Sequence, residues 1–230
     1  MSTVGNWRGP SIVKEGLLLY LDASSPNSYY SSMGNNWKDI SGNGYNGVLT
    51  NGPTYSTLNG GSFIFDGINN YYNITSPINS NMNTISIYVN MQSTSVCPIV
   101  YYGSDNFDSN LWTWGIAVFP TGTHGFSETT LLYPTTSLYT ESVDIGVWKN
   151  FTLVRNDNGD AKLYKNGILV GTSVGVGTTA LRDSGDRLYI AKSGTTYGSF
   201  YLGSLLVYDR SLSSSEVLQN FNKTKSRFGL

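Results

Sequence analysis

Residues 160–173 have the sequence DAKLYKNGILVGTS, and this stretch decides the fold. Two short runs rich in apolar residues, 161–165 and 168–172, are separated only by Asn166 and Gly167. A type I′ turn needs positive φ at both central residues, and Asn and Gly adopt that conformation most readily. The stretch therefore predicts a tight β-hairpin.

Apolar runs elsewhere in the chain predict further strands. In residues 83–91, Ile85, Ile87 and Val89 recur with the period of two that is typical of a half-buried strand. Other apolar runs are separated by segments rich in Gly, Asn and Ser; they occupy residues 16–23, 60–74, 97–103, 111–119, 146–157, 187–192 and 200–210. This spacing predicts an all-β fold, a two-sheet antiparallel jelly-roll sandwich.

Two further turns are expected between these runs. Residues 60–74 have the pattern strand, tight turn, strand, with the reversal near Asp66–Asn69. Residues 121–133, TGTHGFSETTLLY, are expected to form another hairpin.

One helix is expected near the end of the chain. Ser213 is followed three residues later by Glu216, which is the spacing of a capping box. Val217, Leu218 and Phe221 then fall on one side of a helix. We expect this short C-terminal helix to cover an edge or a corner of the sandwich.

The chain divides into three parts by pattern. Residues 1–15 show no periodicity and are predicted to form an N-terminal arm, residues 16–222 a jelly-roll domain, and residues 223–230 a solvated C-terminal tail. Trp7 in the arm and Phe228 in the tail are candidates for anchoring the domain to neighbouring proteins by docking into pockets.

Composition excludes several functional classes. The formal net charge is −1 and no basic stripe is present, which argues against nucleic-acid binding. No run approaches the roughly 20 apolar residues of a membrane span. The first residues lack a signal-peptide core, so we expect a protein made in the cytoplasm without a secretory leader. Cys97, the single cysteine, cannot form an internal disulfide and is expected to be a small buried residue.

No metal or cofactor is predicted. One histidine, His124, and one cysteine cannot supply the usual ligands of a zinc site. Asp157 and Asp160, in the segment NDNGD (156–160), are weak calcium candidates because oxygen ligands surround a glycine. Asp and Asn also form turns for backbone reasons alone, and a turn is the favoured interpretation.

Four segments together resemble a known family. FDGINNYY (65–72), WKNFTLVRNDNGDAKLYKNGILVG (148–171), RLYIAK (187–192) and LLVYDRSLSSSEV (205–217) are similar to the laminin-G-like, or concanavalin A-like, jelly-roll domain. The matching positions are Phe65, Gly67, Tyr71 or Tyr72, Trp148, Asn166, Gly167, Tyr208, Arg210, Leu212, Ser213 and Glu216. Where the family often has an acidic pair, this chain has Asn69 and Asn70, which weakens that position as a calcium site.

Three other segments resemble one particular group of proteins within this family. Residues 16–29, 37–55 and 220–230 are similar to laminin-G-like proteins of tailed-phage virions. The resemblance implies a structural protein on the outside of the particle, as a capsid decoration or a tail or fibre component. Its partners would then be other virion proteins or further copies of itself, and it would be located in the virion.

The related fold also includes glucanases, so hydrolysis has to be considered. A retaining glycosidase needs two carboxylates about 5–5.5 Å apart. Glu141 and Asp144 lie three positions apart, on opposite faces of any strand, and Glu128 stands alone. His124 lacks the G-x-S-x-G elbow of a serine hydrolase and is expected to be a loop residue. We therefore predict that the protein is not an enzyme.

The alternative function is carbohydrate binding by an adhesion module that recognises host surface glycans. Trp112, Trp114 and Tyr133 supply aromatic rings on which sugars stack, and His124 is a further contact candidate. Aromatic residues that alternate along a strand are also typical of a core or an interface, so this assignment stays open at the level of sequence.

Overall fold

The computed structural model shows two stacked antiparallel sheets. It describes residues 11–75, 78, 82–95, 97–103, 112–119, 122–127, 144–158, 160–173 and 187–230. At positions 101, 103, 112–114, 118, 119 and 122–127 only the backbone is described. The predicted all-β sandwich with a short C-terminal helix is confirmed.

The larger sheet has eight strands among the described residues. They are β1 (Leu17–Asp22), β4 (Thr54–Ser56), β5 (Ser62–Asp66), β7 (Thr84–Met91), β11 (Trp148–Arg155), β12 (Ala161–Lys165), β13 (Ile168–Ser173) and β17 (Ser199–Tyr208). Their order is β13-β12-β11-β7-β17-β5-β4, and β1 pairs with β17 beside β5.

The smaller sheet has seven strands in the described part of the chain. They are β2 (Asn36–Trp37), β3 (Gly47–Thr50), β6 (Tyr71–Ile74), β8 (Cys97–Gly103), β9 (Trp112–Phe119), β10 (Gly122–Ser127) and β14 (Arg187–Ile190). Their order is β10-β9-β8-β14-β6-β3-β2. A separate two-stranded hairpin, β15 (Lys192–Ser193) and β16 (Thr196–Tyr197), follows β14.

The core lies between the two sheets. Ile85, Ile87 and Val89 of β7 are almost completely buried there, as their alternation predicted. The strand is not half-buried, however, because the residues between them are buried as well. From the smaller sheet, Tyr72 and Ile74 enter the same core. The alternate residues of each strand therefore point to the outer faces of the sandwich.

Two of the predicted turns are present in the structure. The hairpin between β12 and β13 is confirmed, because Asn166 and Gly167 have φ of 51° and 77° and Lys165 pairs with Ile168. The turn near Asp66 is present, and its carboxylate accepts the backbone N–H of Ile68 at 2.8 Å. That turn joins strands of different sheets, β5 and β6, and the chain crosses the sandwich there.

The hairpin expected within 121–133 differs in its pairing. β10 pairs with β9, the strand before it, and Phe119 lies opposite Gly122. The pairing partner of β10 therefore precedes residue 121, and a hairpin within 121–133 stays a prediction because residues 128–133 lie outside the described residues.

The predicted capping box begins helix α1 (Ser214–Thr224). The Ser213 hydroxyl accepts the N–H of Glu216, and the Glu216 carboxylate accepts the N–H of Ser213. Val217 and Phe221 are buried, but Leu218 is 44% exposed, so its assignment to the buried side was wrong. Asn220 takes that place, because it lies three residues after Val217 on the same side of the helix. The helix lies on the outer face of the larger sheet rather than at an edge.

The C-terminal end is part of the domain. Lys225–Phe228 form a 3₁₀ helix, and the Phe228 ring lies 4.4 Å from the Tyr88 ring and 4.6 Å from the Trp148 ring. Phe228 is only 4% exposed, so the prediction that it anchors the domain to a neighbour was wrong. Gly203 of β17 leaves the space for this ring, since a Cβ there would overlap it.

The described part of the predicted arm also packs on the domain. Ile12 and Val13 are buried with Leu17 and Tyr208. Residues 11–15 therefore belong to the folded unit, whereas Trp7 lies outside the described residues.

Candidate functional site

The outer face of the smaller sheet carries an aromatic cluster that we call the open face. It consists of Tyr71 and Asn73 of β6, Tyr189 of β14, and Lys192 and Tyr197 of the β15–β16 hairpin. Tyr71 and Asn73 point outward because Tyr72 and Ile74, their neighbours in β6, fill the core. Tyr189 lies directly opposite Asn73, and so on the same face. None of the described helices packs on this face.

Rings and a cation meet on the open face. The Lys192 ammonium lies 4.8 Å from the centre of the Tyr71 ring and 5.5 Å from that of Tyr189. The Tyr71 and Tyr197 rings are 6.4 Å apart and inclined at 41°. Tyr71, Lys192 and Tyr197 are partly exposed, whereas Tyr189 is buried. The accessible surface thus combines two tilted ring faces, a cation and the Asn73 amide.

A strained residue positions this cluster. Ala191 has φ of +64°, which a side chain with a Cβ rarely adopts. Its N–H donates to Ile99 O, and its carbonyl accepts the N–H of Gly198 at 2.9 Å. These two bonds hold the hairpin at the end of β14, which places Lys192 and Tyr197 beside Tyr71. Backbone strain of this kind is often found at binding sites.

The described strands of the smaller sheet contain basic but no acidic residues. The seven strands of the smaller sheet contain no Asp or Glu residue, and Arg187 lies in β14. The Arg187 guanidinium donates to Thr75 O at 2.9 Å. The described strands therefore bring basic and neutral groups, but no carboxylate, to this sheet.

The predicted aromatic contacts lie in the same sheet. Trp112 and Trp114 belong to β9, where Trp114 is in register with Tyr102, and His124 belongs to β10 opposite Ala117. Only the backbone is described at these three positions, and Tyr133 lies outside the described residues. The structure thus places three of the four candidates in the sheet of the open face and leaves their side-chain contacts as a prediction.

Tyr71, Lys192 and Tyr197 were not among the candidate ligand contacts selected from the sequence. The alternation of residues 71–74 marks Tyr71 as an outward residue, and this was the available signal. Nothing in the sequence indicates that β6 pairs with β14, a strand more than one hundred residues later. That pairing is what brings the rings together.

The acidic candidates make structural contacts where they are described. Asp144 forms an ion pair with Lys149 at 2.6 Å, while Glu128 and Glu141 lie outside the described residues. Burial raises the pKa of the Cys97 thiol to about 12, so this residue is a poor nucleophile. The expectation of a small buried cysteine is confirmed.

The calcium candidates lie in a turn closed by an amide side chain. Asn156 Oδ1 accepts the N–H of Asp160 at 2.8 Å and that of Asn158 at 3.1 Å. The Asp157 carboxylate accepts from Asn83 Nδ2, and Asp160 accepts from Asn156 Nδ2. Within the described ranges, no group of three His, Cys, Asp or Glu side chains could hold a metal ion.

Comparisons with known proteins agree with this architecture. The profile of the concanavalin A-like lectin/glucanases superfamily matches residues 66–218, more than half of the chain. None of the curated proteins searched matches the sequence significantly. Among the parts of the chain that the structure describes, no helix is long and apolar enough to cross a membrane.

Several solved structures are similar in fold. The sialidase of Trypanosoma rangeli superposes with a TM-score of 0.68 at 15% identity, over 92% of this chain and 33% of that one. The binding domain of Paraclostridial Mosquitocidal Protein 1 gives 0.65 and 17%, over 91% and 52%. The ligand-binding domain of botulinum neurotoxin serotype D, solved with N-acetylneuraminic acid, gives 0.66 and 14%, over 91% and 51%. This chain spans a third to a half of their lengths, and at these identities the likeness shows the fold alone.

Proposed function

We propose that this chain, which belongs to the concanavalin A-like lectin/glucanases superfamily, is a carbohydrate-binding module that catalyses no reaction. The observation that carries the proposal is the open face, where Tyr71 and Tyr197 present tilted, partly exposed rings beside the Lys192 ammonium. Sugars place their C–H faces on aromatic rings, while cations and amides orient their hydroxyl groups. The open face supplies all three kinds of group.

The fold of ligand-binding relatives supports the same proposal. One similar structure is a toxin domain solved with N-acetylneuraminic acid, so this sandwich occurs in at least one protein that holds a sugar. The open face is inferred from the contacts of this chain's own residues.

We propose that the protein is not an enzyme because its described acidic side chains do not form a catalytic pair. A glycosidase of the usual kind needs a pair of carboxylates facing one bond. The strands of the smaller sheet carry no Asp or Glu, and Asp144 is held by Lys149. We expect no release of reducing ends from any polysaccharide that the protein binds.

We further propose that the protein lies on the outside of a tailed-phage virion. It rests on the resemblance of residues 16–29, 37–55 and 220–230 to laminin-G-like virion proteins. A glycan-binding module there would serve adhesion to the host surface, with other virion proteins or further copies of itself as partners. Detection of the chain on the surface of purified particles by antibody labelling would support this, and its absence from them would contradict it.

Glycan binding is tested with a matched pair of variants. The wild-type protein is applied to a glycan array, and the best ligand is titrated by calorimetry. We expect saturable binding that the double variant Tyr71→Ala, Tyr197→Ala abolishes. The control is Tyr30→Ala, which removes an exposed tyrosine from a different part of the molecule and should leave the affinity unchanged. Equal loss in both variants, or no binding to any glycan, would contradict the proposal.

A further inference from the structure

A cleft lies on the side of the molecule opposite the open face, and we call it the terminal cleft. It has a volume of about 410 Å³ and forms where the segment 11–14, strand β1 and the end of helix α1 meet. Pockets of about 300–1,000 Å³ are the usual size for small-molecule sites. Its walls carry three cations, Lys14, Lys223 and Arg227, and one carboxylate, Asp22.

The Asp22 carboxylate is fully engaged. It accepts from Arg227 Nη1 at 2.6 Å, from the Tyr20 hydroxyl at 3.1 Å and from the Ser24 hydroxyl at 2.8 Å. Arg227 in turn donates to the carbonyls of Asn59 and Gly61. This pair is therefore neutral overall, and its hydrogen-bonding capacity is largely consumed within the protein.

The two lysines remain available to a ligand. Within the described chain, neither Lys14 nor Lys223 forms an ion pair, and both are exposed. The Lys14 ammonium lies 6.0 Å from the centre of the Tyr20 ring. The cleft consequently has an excess of two positive charges, each with three hydrogen-bond donors.

The lysines are held in place by the backbone on which they lie. The N–H of Val13 donates to Asn220 Oδ1 at 2.8 Å, and Gln219 Nε2 donates to Ser11 O at 2.7 Å. These bonds fasten the segment that carries Lys14 to the helix that carries Lys223. Two like charges thus line one cleft on segments that are fastened together, and an anion bound between them would relieve their repulsion.

From this arrangement we infer that the terminal cleft binds an oxyanion: the carboxylate, sulfate or phosphate group of a small ligand. Lys14 and Lys223 supply the charge, and the Ser11 and Ser226 side chains that line the cleft supply neutral donors. The inference does not depend on glycan binding at the open face, because the two sites share no residue. Binding is expected to weaken steeply with salt, since both ammonium groups are exposed to solvent.

The test is a titration of the whole chain at low ionic strength, followed by NMR. The probes are sodium sulfate, inorganic phosphate and glucuronate, with glucose as the uncharged counterpart of glucuronate. We expect saturable shifts at residues 11–14 and 220–227 with at least one oxyanion and none with glucose. Response to glucuronate alone indicates a sugar carboxylate, and response to sulfate or phosphate indicates an ester group. No saturable shift with any of the three, or an equal response to glucose, overturns the inference.

Matched variants make the assignment specific. In Lys14→Gln, Lys223→Gln the affinity should weaken about tenfold or more, because two charge-assisted contacts are removed. Lys38→Gln, Lys162→Gln lowers the net charge equally at exposed lysines that do not line the cleft, and it should keep the affinity within about twofold, which is well below the effect of one charged contact. An equal effect of both variants shows adventitious ion binding and overturns the inference. Tyr71→Ala, Tyr197→Ala should leave oxyanion binding intact, so failure at one site is distinguishable from failure at the other.

Discussion

The two outer faces of the sandwich use tyrosine in opposite ways. On the larger sheet, the hydroxyls of Tyr88, Tyr164 and Tyr208 bond to the chain ends that cover them: to Phe221 O, to the Ser214 hydroxyl and to Val13 O. On the smaller sheet, the rings of Tyr71 and Tyr197 stay partly exposed beside a lysine. The same residue type is thus structural where the termini fold back over it and a candidate ligand contact where they do not.

The covered face also explains an unusual run of buried polar residues. Ser86 and Thr152 bond through their hydroxyls at 2.8 Å, and Asn150 Nδ2 donates to Ile87 O at 3.1 Å. These side chains are satisfied by one another and by backbone groups, so their burial costs little. They make the outer face of the larger sheet a closed interior surface, whereas Tyr71 and Tyr197 on the open face stay partly exposed.

The largest loss of stability is expected from removing the aromatic side chain of Phe228, which covers the larger sheet from the C-terminal end of the chain. Phe228→Ala should lower the free energy of unfolding by about 3–5 kcal/mol, because the buried ring leaves a cavity between Tyr88 and Trp148. Urea unfolding followed by fluorescence measures this. A loss below about 1 kcal/mol would show that the end of the chain is only loosely attached.

A smaller effect is expected from one hydroxyl on the covered face. Tyr208→Phe removes the bonds to Val13 O and Asn220 Nδ2, and we expect a loss of about 1–2 kcal/mol. Burial raises the pKa of Tyr208 to about 12, so its contribution is complete below pH 10 and lost as the pH rises from 10 towards 12. Unfolding measured across that range should be less pH-dependent in the variant. An identical pH dependence would contradict this assignment.

The cap of helix α1 should give an effect of similar or smaller size. Arg210 donates to Glu216 at 2.5 and 3.1 Å, and these bonds lower the pKa of Glu216 to about 2. The stability this carboxylate contributes is therefore present above about pH 4.5 and lost as the pH falls towards 2. Glu216→Gln should cost about 1 kcal/mol at pH 7 and flatten the acid limb of the stability curve. Equal acid sensitivity of the two proteins would exclude this role.

The smallest effect on stability is expected on the open face. Tyr71→Ala should cost at most about 1 kcal/mol, because its ring is partly exposed and its contact with Lys192 is a surface cation–π pair. The same urea experiment measures it. A loss as large as that of Phe228→Ala would mean that Tyr71 is a core residue and would remove the contrast between the two faces.

Local signals made much of the fold predictable. The positive φ values of Asn166 and Gly167, and the capping box of Ser213 and Glu216, depend on residues within a few positions of one another. The burial of Phe228 was not predictable in this way, because it depends on Gly203 and Tyr88, which lie on other strands. A short basic segment has the composition of a solvated tail, and only the strand packing shows where its aromatic ring fits.

The candidate site was harder to predict from the sequence than the fold was. Aromatic residues on strands are the class of residue that the open face presents, but the proposed contacts of Trp112 and Trp114 stay a prediction, because only their backbone in β9 is described. The cluster itself needs the pairing of β6 with β14 and the strained bend at Ala191, which turns the β15–β16 hairpin towards Tyr71. No local pattern encodes either of them.

The most direct test of the contrast between the two faces is hydrogen–deuterium exchange with and without the glycan selected on the array. Our account predicts slower exchange in peptides that cover residues 71–74 and 187–197. Exchange should stay unchanged in residues 214–228, which cover the larger sheet. Protection confined to 214–228, with none on the smaller sheet, would contradict it.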